Sequence, residues 1–213
     1  MIQEKKMKAV VFGSGGHGKV VLDILLESGV DVKGFIDDDV SKHGAVINGK
    51  KILGGWDYLM NNKGVKIALG IGNNKIRASV FEKAKELGIE VVNAIHPKAV
   101  VSRSVKLARG IVIMPGVVVS TDTAIEDGVC VNTCASVDHD CRLKQFCHIW
   151  PGANLAGAVE VGEYSYVGTG ASVIQNLKIG NNAMIGSGAA VISNIPDRAT
   201  AVGVPAKVIK EAK

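Results

Sequence analysis

Residues 143–191 read LKQFCHIWPGANLAGAVEVGEYSYVGTGASVIQNLKIGNNAMIGSGAAV. Stepping by six from Leu143 lands on Ile149, Leu155, Val161, Val167, Val173, Ile179, Ile185 and Val191, every one aliphatic. The register runs backward unbroken through Val137, Val131, Ile125, Val119, Ile113, Leu107 and Val101 to Ile95, giving seventeen stops in succession. Small residues recur two positions before a stop (Ala135, Cys141, Cys147, Ala153, Ser165, Ala171), and glycine often follows one (Gly162, Gly168, Gly180, Gly186). A period of six is neither helical nor that of a simple strand, and it predicts a solenoid of short strands and tight corners. Three such units close a triangular turn, and turns stack with strands about 4.8 Å apart. A β-sandwich would need less even turns. Periodicity does not fix the hand of the coil.

Ahead of the repeat the logic changes. Lys8–Phe12, Val32–Ile36, Lys66–Leu69 and Glu90–Asn93 read as short strands. Lys19–Glu27 and Ile76–Leu87 have helical spacing, the second closed by Gly88. Alternating strand and helix argues for a small parallel sheet covered by helices. The sequence thus predicts two domains: a Rossmann-like α/β domain over residues 1–93 and an all-β solenoid over 94–213.

Composition fits this division. Of the 213 residues 47% are apolar but only 4% aromatic, so the core must be filled by Val, Ile, Leu and Ala. The net charge of +5 suits an anionic small molecule, and the scattered Lys and Arg argue against nucleic acid. No signal peptide and no apolar run of membrane-spanning length is read, so the expected location is the cytoplasm. Cys130, Cys134, Cys141 and Cys147 form no CxxC pair and are expected as reduced, small core residues.

Two places carry chemistry. Gly13-Ser14-Gly15-Gly16-His17-Gly18 fits GxGxxG between a strand and a helix, where backbone N–H groups can meet an anion. Asp37, Asp38 and Asp39 follow about twenty residues on, as for the ribose of a dinucleotide. Alone, this would suggest NAD. The half is short for two mononucleotide units, His17 sits in the loop as a phosphate donor, and no dehydrogenase substrate domain follows. A nucleotide sugar also carries a pyrophosphate and is the preferred reading.

The second place is Asp138-His139-Asp140, which interrupts an otherwise bland repeat. Imidazole has the pKa to take a proton from an amine or hydroxyl attacking a thioester, and an adjacent carboxylate orients the ring. Direct transfer needs no Ser or Cys nucleophile. His148 lies nine residues on, half a turn of the solenoid. A zinc site from His139, Cys141, Cys147 and His148 is disfavoured, because their spacing follows the repeat; no metal is expected.

The hexads resemble those of left-handed β-helix acyltransferases, as does the ending Val202-Gly203-Val204-Pro205-Ala206-Lys207. The whole chain resembles the sialic acid O-acetyltransferase family of sugar acetyltransferases, whose close relatives are UDP-4-amino-sugar N-acetyltransferases. The matching pieces are GSGGHGKV at 13–20, FIDDD at 35–39, GIGNNKIR at 70–77, IHPKAVVS at 95–102, VNTCASVDHD at 131–140 and GVPAK at 203–207. The resemblance implies a left-handed coil, a homotrimer and acetyl-CoA as co-substrate, bound between neighbouring prisms. It implies His139 as general base polarised by Asp140, and Asn132 near the acceptor. His148 would sit near the thioester, with Gly157, Thr169 and Ser187 along the coenzyme's path. Gly15, Gly16 and His17 would meet the diphosphate, and Asp37, Asp38 and Gly72 the nucleotide end. The expected reaction is N-acetylation of a nucleotide-linked, UDP-type 4-amino sugar. O-acetylation of a sialic acid or other sugar hydroxyl, or a trimeric nucleotide-binding scaffold without turnover, are the alternatives.

Overall fold

The computed structural model describes residues 7–211. It divides into two compact units, the first ending at Pro97 and the second beginning at Lys98.

In the first unit β1 (Lys8–Phe12) is an inner strand of a five-stranded sheet, second from one edge. It leads into α1 (Gly16–Glu27) and β2 (Asp31–Ile36), then to β3 (Val46–Ile47), β4 (Lys50–Gly54), α2 (Trp56–Asn61), β5 (Lys66–Leu69) and α3 (Asn74–Glu86). The sheet order is β3-β4-β2-β1-β5, parallel except for the β3–β4 hairpin. β1 sends the chain to β2 on one side and receives β5 on the other, so the strand order reverses beside it. The crevice at the carboxyl ends of β1 and β5 is where such sheets take ligands.

Several local readings are corrected. The β3–β4 hairpin and α2 were not anticipated, and Glu90–Asn93 is no strand: only Val91 bridges to Ile67. α1 starts at Gly16, three residues earlier than its spacing suggested, with Gly18 packed against the Gly13 carbonyl that follows β1. α3 starts at Asn74 because the Asn73 side chain caps it, accepting from the Ile76 N–H at 3.1 Å.

The second unit is a left-handed parallel β-helix. Two-residue strands recur every six residues and pair with the strand eighteen residues on, as Val118↔Ser136, Ala124↔Arg142 and Cys130↔His148. From Ile113 to Val191 every aliphatic stop is buried. Each such side chain taken from water contributes about 1.5–3 kcal/mol. Val101 and Leu107 depart from the pattern: they belong to the first coil, and Leu107 is 36% exposed.

The corners were not legible. At every sixth position from Gly110 to Gly188 the backbone is left-handed, and eight of these fourteen residues are not glycine. One is Cys134, which is exposed on a corner rather than in the core; Cys130, Cys141 and Cys147 are buried, and all four are free thiols. Glycine after a stop answers a different demand. A Cβ on Gly162 would lie 2.5 Å from the backbone carbon of Gly180 in the next coil, and one on Gly168 would lie 2.5 Å from the Ile185 carbonyl oxygen. The period fails after Ile192, where Ala199–Val202 pairs parallel with Met184–Ile185 and then antiparallel with Lys207–Glu211. Among the described residues no helix is long and apolar enough to cross a membrane.

Candidate functional site

The crevice in the first unit has a volume of about 390 Å³. Its wall includes Gly13–His17, Asp37, Asp38 and Gly70–Gly72, so six residues expected from the sequence line one cavity: Gly15, Gly16, His17, Asp37, Asp38 and Gly72. The loop glycines divide the work. Gly13 makes the turn at φ +101°, and a Cβ on Gly18 would stand 2.0 Å from the Gly13 carbonyl oxygen, so those two serve the fold. Gly15 and Gly16 have open space where a Cβ would be. Nothing among the described residues requires glycine there, and the space over the start of α1 is left open.

Asp37 is turned toward its own chain. It accepts from the Ser14 N–H at 3.0 Å, from the Ser14 hydroxyl, and from the Asp39 N–H at 3.0 Å, and Lys42 Nζ lies 3.3 Å away. Burial opposes its ionisation, but these bonds outweigh it and hold the carboxyl below its ordinary range. Asp37 therefore braces the glycine loop against the loop after β2, and the exposed Asp38 faces the cavity. His17 is pushed down to about 4, by burial first and then by the Arg77 guanidinium, so its imidazole is neutral at physiological pH. Sequence reasoning missed Ser14, Lys42 and Arg77; the signal for Ser14 was its place inside the GxGxxG run.

In the second unit His139 sits on the corner between the strands Ser136–Val137 and Arg142–Leu143. Asp140 adopts a left-handed φ of 59°, a conformation tolerated by Asp. Its Oδ2 lies 2.8 Å from His139 Nδ1, and Asp138 Oδ1 accepts from the His139 N–H at 2.8 Å. With Nδ1–H donating to Asp140, Nε2 carries the free lone pair. The ring is about half exposed, and its pKa is raised, chiefly by the Asp140 bond and then by the Asp138 charge. The ring lies against Gly157 of the next coil.

His148 is different. It is 3% exposed and packs between Trp150 and Tyr166, ring centroids 5.7 and 6.2 Å away. Asn132 Oδ1 accepts from the Thr133 N–H at 2.8 Å, which leaves the amide Nδ2 to donate to His148 Nε2 at 3.1 Å. Thr169 and Ser187 are exposed on the corner that follows this face, stacked with Thr133 and Pro151 through bonds such as Gly188 N–H to Thr169 O at 2.8 Å. His139 and Gly157 stack on another corner, linked by Ala158 N–H to His139 O at 2.8 Å. The two corners are six residues apart in the repeat, one whole side of the triangle. One chain thus brings together His139, Asp140 and Gly157, and separately Asn132 and His148, but it does not bring His139 to Thr169 or Ser187.

Residues 8–84 match the PglD N-terminal domain family. The chain is 32% identical over 164 residues to a GDP-perosamine N-acetyltransferase of Escherichia coli O157:H7, covering 71% of each protein. It superposes with a TM-score of 0.91 and 39% identity on the GDP-perosamine N-acetyltransferase of Caulobacter crescentus, in a variant with a histidine replaced by alanine, in complex with CoA and GDP-perosamine. That match covers 96% of this chain and 97% of the other. The acetyltransferase domain of PglB from Neisseria gonorrhoeae FA1090, in complex with acetyl coenzyme A, matches with a TM-score of 0.90 and 39% identity over 96% of this chain and all of that domain.

Proposed function

This chain belongs to the family of acetyl-CoA-dependent nucleotide-sugar N-acetyltransferases, and on that premise we propose that it acetylates the amino group of a GDP-linked amino sugar with His139 as general base. The amine nitrogen attacks the thioester carbonyl, and the C–S bond to coenzyme A breaks as the tetrahedral intermediate collapses. His139 Nε2 takes the proton that the nitrogen must lose. Asp140 holds the ring by Nδ1 and stabilises the imidazolium that forms. The single observation that carries this assignment is the His139–Asp140 bond, which orients a half-exposed imidazole and leaves Nε2 open.

The diphosphate is assigned to the start of α1. The empty space over Gly15 and Gly16 supports this, with the neutral His17 as an additional N–H donor. Asp38 and Gly72 are assigned to the nucleoside, and Asp37 to bracing the loop that receives it. Asn132 belongs beside the acceptor. Guanosine is preferred to the uridine expected from the sequence because two relatives that each match over more than two thirds of their length are named for GDP-perosamine.

Acetyl-CoA is assigned to His148, Gly157, Thr169 and Ser187. Because Thr169 and Ser187 occupy a different corner from His139, a homotrimer in which one copy's corner meets the next copy's face accommodates these assignments. The test is coenzyme A release from acetyl-CoA with GDP-, UDP- and CMP-linked amino sugars and their hydroxyl counterparts. Turnover restricted to GDP-amino sugars supports the reading. Preference for a UDP-amino sugar would correct the nucleotide alone, and turnover on hydroxyl sugars only would overturn it.

A further inference from the structure

Among the described residues Arg77, on α3, is the largest fully buried side chain, at 0% exposure. Its Nη1 donates to the carbonyl oxygens of Ile71 and Gly72, each at 3.1 Å, and its Nη2 donates to Asn74 Oδ1 at 2.7 Å. Ile71 and Gly72 line the cavity, but Arg77 does not. We infer that Arg77 is a positioning residue for the anion: it holds two carbonyl oxygens of the cavity wall inward, so that a diphosphate is not met by their negative ends. The inference rests on the reading of this cavity as the nucleotide-diphosphate site.

The physical case has two parts. A carbonyl oxygen facing a phosphate within a few ångströms repels it, and in a partly desolvated cavity that repulsion is weakly screened. A guanidinium can hold two carbonyls at once through its fixed fork of donors, which an ammonium on a flexible stem does less well. The wall cannot shift alone. A Cβ on Gly70 would lie 2.8 Å from both the Gly13 carbonyl oxygen and the Gly18 Cα, so the loop after β5 is in backbone contact with the glycine loop. A wall released from Arg77 therefore disturbs the loop that receives the diphosphate. The guanidinium, after burial, also holds His17 neutral, with Asp37 and Asp38 the acidic groups on the same cavity.

The test uses the full chain and GDP-mannose, a diphosphate-linked sugar without an amine, with UDP-glucose in parallel. Binding is followed by calorimetry for the wild type, Arg77→Lys and Asn74→Ala, with circular dichroism to confirm folding. Both variants are expected to weaken nucleotide-sugar binding about tenfold or more while leaving the calorimetric affinity for acetyl-CoA within about twofold. Arg77→Met, which removes every donor to the two carbonyls, should weaken binding at least as much as Arg77→Lys. Folded variants that bind as the wild type does would overturn the inference. Should the Arg77 variants fail to fold, Asn74→Ala decides. A wild type that binds neither nucleotide sugar would remove the nucleotide reading itself, and this inference with it.

Discussion

The imidazole of His139 occupies the space that a side chain on Gly157 would take: a Cβ there would stand 2.5 Å from Cε1, 2.6 Å from Nε2 and 3.1 Å from Nδ1. Gly157 therefore has a steric role toward His139. It is the surface on which the ring rests, and the Asp140 bond at 2.8 Å fixes the ring's other degree of freedom. Two restraints on one half-exposed side chain give an imidazole with a defined direction.

Gly157→Ala should displace that ring with little damage to the fold, because the neighbour that must yield is a solvent-facing imidazole rather than backbone. The expected result is a fall in kcat of about a hundredfold, the scale set by a misplacement near 1 Å. Steady-state kinetics with each substrate varied checks it; a loss appearing only in KM for acetyl-CoA would mean that Gly157 serves the coenzyme alone.

The pH dependence follows from the direction of the His139 shift. The base must be neutral to accept a proton, so activity rises as pH passes upward through its pKa. Asp140 raises that pKa, and the acid limb of kcat should therefore lie above the ordinary histidine value of about 6.5. Asp140→Asn removes the largest cause and should move the limb to lower pH while lowering the plateau. Asp138→Asn should move it in the same direction by less. A limb that stays in place in Asp140→Asn would assign the titration to another group, such as the substrate amine.

If acetyl transfer needs the His139 corner of one copy and the Thr169 corner of another, two inactive variants should rescue each other. His139→Ala and Thr169→Trp, each inactive alone, should regain up to about a quarter of wild-type activity when refolded as an equal mixture, the share of interfaces that pair two intact corners in a random cyclic trimer. No recovery in verified mixed trimers would place both functions on one chain.

The coil makes a separate prediction about stability. Gly162→Ala drives a Cβ into the backbone of the next coil and should lower Tm by many degrees. Gly152→Ala has open space and only a left-handed φ of 65°, so it should cost about 1–2 kcal/mol. Ile185→Ala, inside the core at 1% exposure, should cost about 2–5 kcal/mol, and Leu107→Ala, at 36% exposure, much less. Thermal and urea unfolding rank the four.

What could be read from the sequence follows from where side-chain identity is forced. The inward stops tolerate only aliphatics, so Ile113 to Val191 declared the solenoid. The corners are held by backbone bonds to the neighbouring coil, such as Asp140 N–H to Thr121 O at 3.1 Å, so Phe146, Tyr164 and Asn176 all serve there and no pattern forms. GxGxxG was legible because Gly13 and Gly18 are sterically required. The inward turn of Asp37 was not, since a carboxylate that braces a loop and one that meets a ligand look alike in sequence. Arg77 was hidden for the opposite reason: an arginine amid helical spacing reads as a solvated face, and only the carbonyls of Ile71 and Gly72 explain its burial.

The central claim is that His139 takes the proton in acetyl transfer to a nucleotide-linked amine. The most direct measurement compares wild type with His139→Asn in single-turnover acetyl transfer, with calorimetric affinities for both substrates measured on the same samples. The account predicts a rate lower by about 10²–10⁴-fold with both affinities nearly unchanged. A rate within a few-fold of wild type, at unchanged affinities, would contradict it.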